Sequence, residues 1–217
     1  MMKKRRLKEI ILLLTILLLT GCSEQQAKSQ KTAPLLDTST FTLNEHPIPV
    51  SIQGTEILVG ETTLQTLLDT KLPIVVSEWT GSDVLEREAD PNEILSANSS
   101  FTDLSCWITD AAFARISIEA GAKDTRMGDA VITRLELHLS HHADTLPDSI
   151  TIDGVPLPEI TRSKAGHMFP YFEQSNLSIS LQGANYDCNL LFSPKTYVLY
   201  QFSLEKVSIN ELLSSSY

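Results

Sequence analysis

Residues 131 to 139 read Val-Ile-Thr-Arg-Leu-Glu-Leu-His-Leu, the longest strictly alternating stretch in the chain. Val131, Thr133, Leu135, Leu137 and Leu139 fall on one side, while Arg134, Glu136 and His138 fall on the other. A period of two with one apolar and one charged side is the pattern of a strand in an antiparallel sheet that has one wet face. The segment from Val198 to Leu204 has the same form, with Val198, Tyr200, Phe202 and Leu204 alternating. These two stretches set the frame for the others.

Working back from Val131, Ala112, Ala114, Ile116 and Ile118 form one alternating face, and Cys106 and Ile108 form another. Asp110-Ala111 is a hairpin-like link between them, and residues 121 to 128 read as a longer polar loop. Arg115 and Glu119 fall on the wet side. Further upstream, Ile48, Val50 and Ile52 alternate, Gln53-Gly54 makes a turn, and Ile57-Leu58-Val59 returns. Thr62-Thr63-Leu64-Gln65 fits a capping box, with Leu64, Leu67 and Leu68 at helical spacing before Pro73. Residues 79 to 98, rich in Asp and Glu around Pro91, read as a solvated loop or frayed helix.

Downstream the order starts again. Ile150 and Ile152 alternate, Asp153-Gly154 turns, and Val155 and Leu157 return. Thr161 precedes a short helix carrying Ala165, Met168, Phe169 and Phe172 on one side, limited by Gly166 and Pro170. Three strand patterns follow, over Leu177 to Leu181, Tyr186 to Phe192 and Val198 to Leu204. The expected fold class is therefore α+β, as two similar units, each a short helix packed on an antiparallel sheet. The first spans residues 41 to 142 and the second residues 143 to 217.

The N-terminus is of another kind. Lys3, Lys4, Arg5, Arg6 and Lys8 precede an apolar run from Ile10 to Leu19 broken only by Thr15. That is the n-region and h-region of a signal peptide. The run falls short of the roughly 20 apolar residues that a transmembrane helix needs. Leu19-Thr20-Gly21-Cys22 resembles the lipobox of bacterial lipoproteins. The resemblance implies cleavage between Gly21 and Cys22, removal of residues 1 to 21, and acylation of Cys22, so that lipid attaches the chain to the cell membrane on the side away from the cytoplasm. More than one acyl chain gives durable anchoring. Ser23 carries no inner-membrane retention signal, so in a host with two membranes it permits export to the outer one. Residues 22 to 40, poor in large apolar side chains, read as a lipidated flexible tether.

Removing residues 1 to 21 takes away five basic residues and one acid, leaving 12 Lys+Arg against 26 Asp+Glu, or −14 without His. Such a chain lacks the basic footprint needed for nucleic acid. Two cysteines remain once lipid occupies Cys22. Cys106 and Cys188 lie in apolar alternating segments, either as a disulfide formed outside the cytoplasm or as buried thiols.

Residues pointing to catalysis are sparse. No nucleophile elbow, Cys-x-x-Cys pair or phosphate loop is present, and no cofactor is implied. His141, His142 and Asp144 would need His46 or His167 from elsewhere to complete a zinc site. Dispersed carboxylates leave an envelope hydrolase as the alternative function. Trp107 and Phe113 fall opposite the sides assigned to the core, and they form the candidate partner surface. The segment from Gly60 to Leu68 after a hairpin, within a doubled order of helix and sheet, resembles the beta-lactamase-inhibitor-like tandem repeats of envelope lipoproteins. That resemblance implies a binding, scaffold or inhibitor role toward an envelope protein or polymer.

Overall fold

A computed structural model describes residues 47 to 207, apart from 81, 82 and 184. The expected signal peptide, Cys22 and the expected tether lie outside the described residues.

The structure corrects the expected fold class. The described chain is mostly β, with 50% strand and 13% helix, rather than two α+β units each built on a helix. Its two α-helices span only Leu64–Leu68 (α1) and Arg162–Met168 (α2). Pieces this short make few backbone bonds and owe their stability to packing. Helix α1 rests mainly on the 3-10 turn Met127–Asp129, not on a sheet face. Its capping box does not form: Thr63 makes no side-chain cap, Gln65 bonds Asp69 instead, and Thr62 Oγ1 accepts from Leu58 N–H at 2.8 Å. Thr161 does cap α2, accepting from Lys164 N–H at 3.2 Å.

Among the described residues fifteen strands make three sheets. β1 (Val50–Ile52), β2 (Thr55–Ile57), β10 (Ile150–Ile152) and β11 (Val155–Pro156) form a four-stranded sheet. β5 (Ile94–Leu95) and β8 (Thr125–Arg126) form a two-stranded ribbon. The rest form a nine-stranded antiparallel sheet in the order β12-β13-β14-β15-β9-β7-β6-β3-β4. Its members are β3 (Val75–Thr80), β4 (Asp83–Glu88), β6 (Ser100–Thr109), β7 (Ala112–Glu119), β9 (Val131–Leu139), β12 (Glu173–Gln174), β13 (Ser178–Gln182), β14 (Tyr186–Phe192) and β15 (Leu199–Lys206).

Both large sheets are shared between the halves of the chain. β1 pairs with β10 and β9 with β15, so neither large sheet belongs to one half. The pairings obey a pseudo-two-fold relation. Gln53 N–H donates to Ser149 C=O at 2.9 Å, and Asp153 N–H donates to Pro49 C=O at 2.8 Å. Isolated bridges tie Thr63 to Val131 and Thr161 to Val198. The β9–β15 register runs from His138↔Gln201 to Arg134↔Glu205, centred on Glu136↔Ser203. Strands β4, β5 and β8 belong to the first half alone. The acidic stretch expected to be a loop or frayed helix supplies two of them, because β3 offers β4 a free edge.

One continuous core lies between the sheets. It takes Leu104, Cys106, Ala114, Ile116, Leu135, Leu137, Phe202, Leu204, Cys188 and Leu190 from the large sheet, and Val50, Ile52, Ile150 and Ile152 from the small one. Ile132, not Val131, enters it, because the β7–β9 register shifts between Ser117 and Ile118 and changes the side on which the first residues of β9 fall. Among the described residues no helix is long and apolar enough to cross a membrane.

Candidate functional site

The alternation that sends Cys106 and Ile108 into the core turns Trp107 outward. Ala112 and Ala114 do the same for Phe113, and Ile116 for Arg115. A register shift between Trp107 and Thr109, next to the turn at Asp110-Ala111, places Trp107 opposite Phe113, and Phe113 lies opposite His138 on β9. The result is a row of three rings across three strands. The Trp107 and Phe113 centroids are 4.9 Å apart at 52°, and those of Phe113 and His138 are 6.2 Å apart at 46°. Trp107 is 62% exposed, unusual for the largest apolar side chain of a sheet.

A cleft of about 480 Å³ opens beside this row. Its walls include Val75, Ser77, Val84 and Glu86 from β3 and β4, and Thr102, Asp103, Ser105 and Arg115 from β6 and β7. The cause is legible in the pairing. β3 bonds β6 only at Val75↔Ser105 and Val76↔Leu104, while it follows β4 from Val75 to Thr80. The register of β6 shifts between Phe101 and Leu104, so the β3–β4 ribbon parts from β6 there. The volume lies in the range of about 300–1,000 Å³ usual for ligand clefts. Arg115 is exposed and, among the described residues, has no ion pair.

Beyond Arg115 the face carries Glu136, at 7% exposure the one buried charged side chain among the described residues. Gln201 Nε2 donates to its Oε1 at 2.7 Å, and Arg134 Nη2 donates to its Oε2 at 3.1 Å. His138 Nε2 lies 3.0 Å from Oε1 but makes no hydrogen bond with it.

The pseudo-two-fold supplies an internal control. Following the register outward from β15, the counterparts of Trp107, Phe113 and Arg115 are Gln182, Asp187 and Asn189. The core positions on the same strands stay apolar: Cys106 answers to Leu181, Ala114 to Cys188 and Ile116 to Leu190. The architecture therefore demands apolar residues inside but neither rings nor a cation outside. They occur at these positions on one half alone, beside a strand that only this half possesses.

The other candidates do not converge. Cys106 and Cys188 are both free and buried, on β6 and β14 with three strands between them. At about 4.8 Å per strand step their separation far exceeds the roughly 7 Å Cα limit of a disulfide. Burial pushes the Cys106 thiol up to about 12 and raises that of Cys188 further. His141 stacks on Tyr200 at 5.0 Å, and His167 Nδ1 lies 2.8 Å from the Ser163 carbonyl oxygen in α2. His46 lies outside the described residues. Among the described residues no three His, Cys, Asp or Glu side chains come together as a metal site. Sequence reasoning missed Arg115, Val84 and Glu86. The first was legible as a wet-side neighbour of Phe113, whereas the other two belong to the strand hidden in an acidic stretch. No family model, no curated protein and no solved structure matches the chain.

Proposed function

We propose that the chain is a lipid-anchored, extracytoplasmic binding module of the cell envelope, held through acylated Cys22 and gripping an envelope component with the Trp107–Phe113 face. The signal peptide ending at Gly21-Cys22 supports the location. With −14 on the mature chain, acidic lipid repels the domain, so acyl chains are left to hold it at a membrane. The observation that carries the binding role is Trp107, exposed beside a cleft while its counterpart on the other half is Gln182. Central aromatic anchors dominate binding energy at recognition surfaces. Scaffold and inhibitor roles are both forms of this reading.

Two measurements test it. Crosslinking and capture from native envelopes should recover a component with the unaltered chain and lose it with Trp107→Ala. Undiminished capture by that variant would remove the face from the reading. Separately, Cys22→Ala should abolish lipid labelling and release the chain from membranes; unchanged labelling and attachment would remove the anchor.

A further inference from the structure

We propose that the Trp107–Phe113–His138 row and the adjoining cleft bind a glycan, a chain of hexopyranose rings bearing spaced carboxylates. The inference rests on the binding role just given and names its ligand.

The surface is a row of rings on a pleated sheet, with steps of 4.9 and 6.2 Å and successive planes tilted by 52° and 46°. Adjacent strands lie about 4.8 Å apart, so rings from neighbouring strands form a line perpendicular to them. A sugar ring offers an apolar face of polarised C–H bonds and an edge of hydroxyls. The first suits the negative face of an aromatic ring. The second suits the hydroxyls of Ser77, Thr102 and Ser105 and the carboxylates of Glu86 and Asp103, all on the cleft wall. Successive sugars can thus follow the row into the cleft.

Arg115 selects the charge. It stands between Ser105 and Glu136 on the same wet face, exposed and without an ion pair among the described residues. A guanidinium holds a carboxylate through paired N–H donors. The net charge of the mature chain repels a dense polyanion, so the carboxylates of the ligand must be spaced. An extended peptide is the poorer fit. It binds a sheet through a free strand edge, such as the part of β6 that β3 leaves unpaired, and main-chain bonds made there would leave the outward ring faces unused.

The full mature chain in detergent is titrated by calorimetry with two probes, neutral N-acetylated chitotetraose and a hyaluronan tetrasaccharide, which carries a carboxylate on every second ring. Both should bind saturably, the carboxylated one more tightly. Trp107→Ala should weaken both by about tenfold or more, the loss expected for a central aromatic anchor, and Trp107→Phe should restore most of it. Arg115→Gln should abolish only the preference for the hyaluronan tetrasaccharide, and Gln182→Ala should change neither affinity. No saturable binding of either sugar overturns the inference, as does binding that survives Trp107→Ala with melting unchanged. If neither sugar binds yet Trp107→Ala still loses the envelope component, the glycan falls and the binding face stands. If capture also survives, both fall.

Discussion

Glu136 and Ser203 face each other across the β9–β15 pairing, and each occupies in its own half the position that the other occupies in the second. A carboxylate on one side of the pseudo-two-fold thus meets a small hydroxyl on the other, which leaves room for Arg134, Gln201 and His138 to close around it. The junction between the halves is polar on its open face and apolar beneath, where Leu135 and Leu204 meet.

Glu136→Ala should destabilise the fold by about 1 kcal/mol, because it removes the acceptor of Gln201 Nε2, while the half-exposed Arg134 keeps Glu205 as a partner. Glu136→Gln keeps an acceptor oxygen and should cost less. Chemical denaturation of both variants checks the order; equal costs would mean that the charge carries the whole contribution and the retained volume and acceptor add nothing.

Both mature thiols should be unreactive in the folded chain and appear together on unfolding. Their pH dependence has a definite sign. Burial raises the Cys106 thiol from 9.0 to about 12, and Cys188 is raised as well, so the folded state keeps protons that the unfolded state releases first. The contribution to stability is complete below pH 9 and falls as pH climbs toward 12. Denaturation midpoints at pH 8 and above should decline less in Cys106→Ala/Cys188→Ala than in the parent, where both thiols remain.

Gly54 and Gly154 hold φ of +82° and +74° in matching turns after Gln53 and Asp153, and a Cβ at either would meet nothing within 4 Å. Replacing either by Ala therefore costs only backbone strain, about 1 kcal/mol. The two variants should melt alike. A large difference would mean that the turns are not equivalent in the folding of the small sheet.

Thr161→Ala should cost about 1 kcal/mol through the lost cap on Lys164 N–H. Thr63→Ala should lose no cap, since Thr63 provides none. Thr62→Ala removes the acceptor for Leu58 N–H and should fall between them. Thermal melts of the three single variants give the ranking.

The alternation of Cys106 with Ile108, of Ala112 to Ile118 and of Tyr186 to Phe192 placed those strands and their inward sides correctly, because each buries one face only. Trp107 and Phe113 were legible as outward residues for the same reason. What local pattern could not show was pairing between distant strands. β1 looks like half of a hairpin, yet its second neighbour is β10, and only long-range register reveals it. The short leucine and phenylalanine clusters of α1 and α2 read as helices able to cover sheets, although five and seven residues cannot do so. β4 escaped because an exposed edge strand, with Leu85 58% exposed among acids, shows no alternation at all. The cleft depends on that strand, so half of the site stayed hidden.

The clasp between the halves also sets the order of events by which the chain finds its shape. β1 is made first but waits for β10, and β9 cannot complete its second edge until β15, the last described strand, arrives. Such sequence-distant closures are slow, since the entropy of the intervening chain is spent before any contact repays it. An intermediate made of the first half alone would present β1 and β9 as open edges, each able to pair with the same edge of another molecule. The chain is therefore most prone to aggregate, or to exchange halves with a neighbour, in the interval before its final strand is delivered.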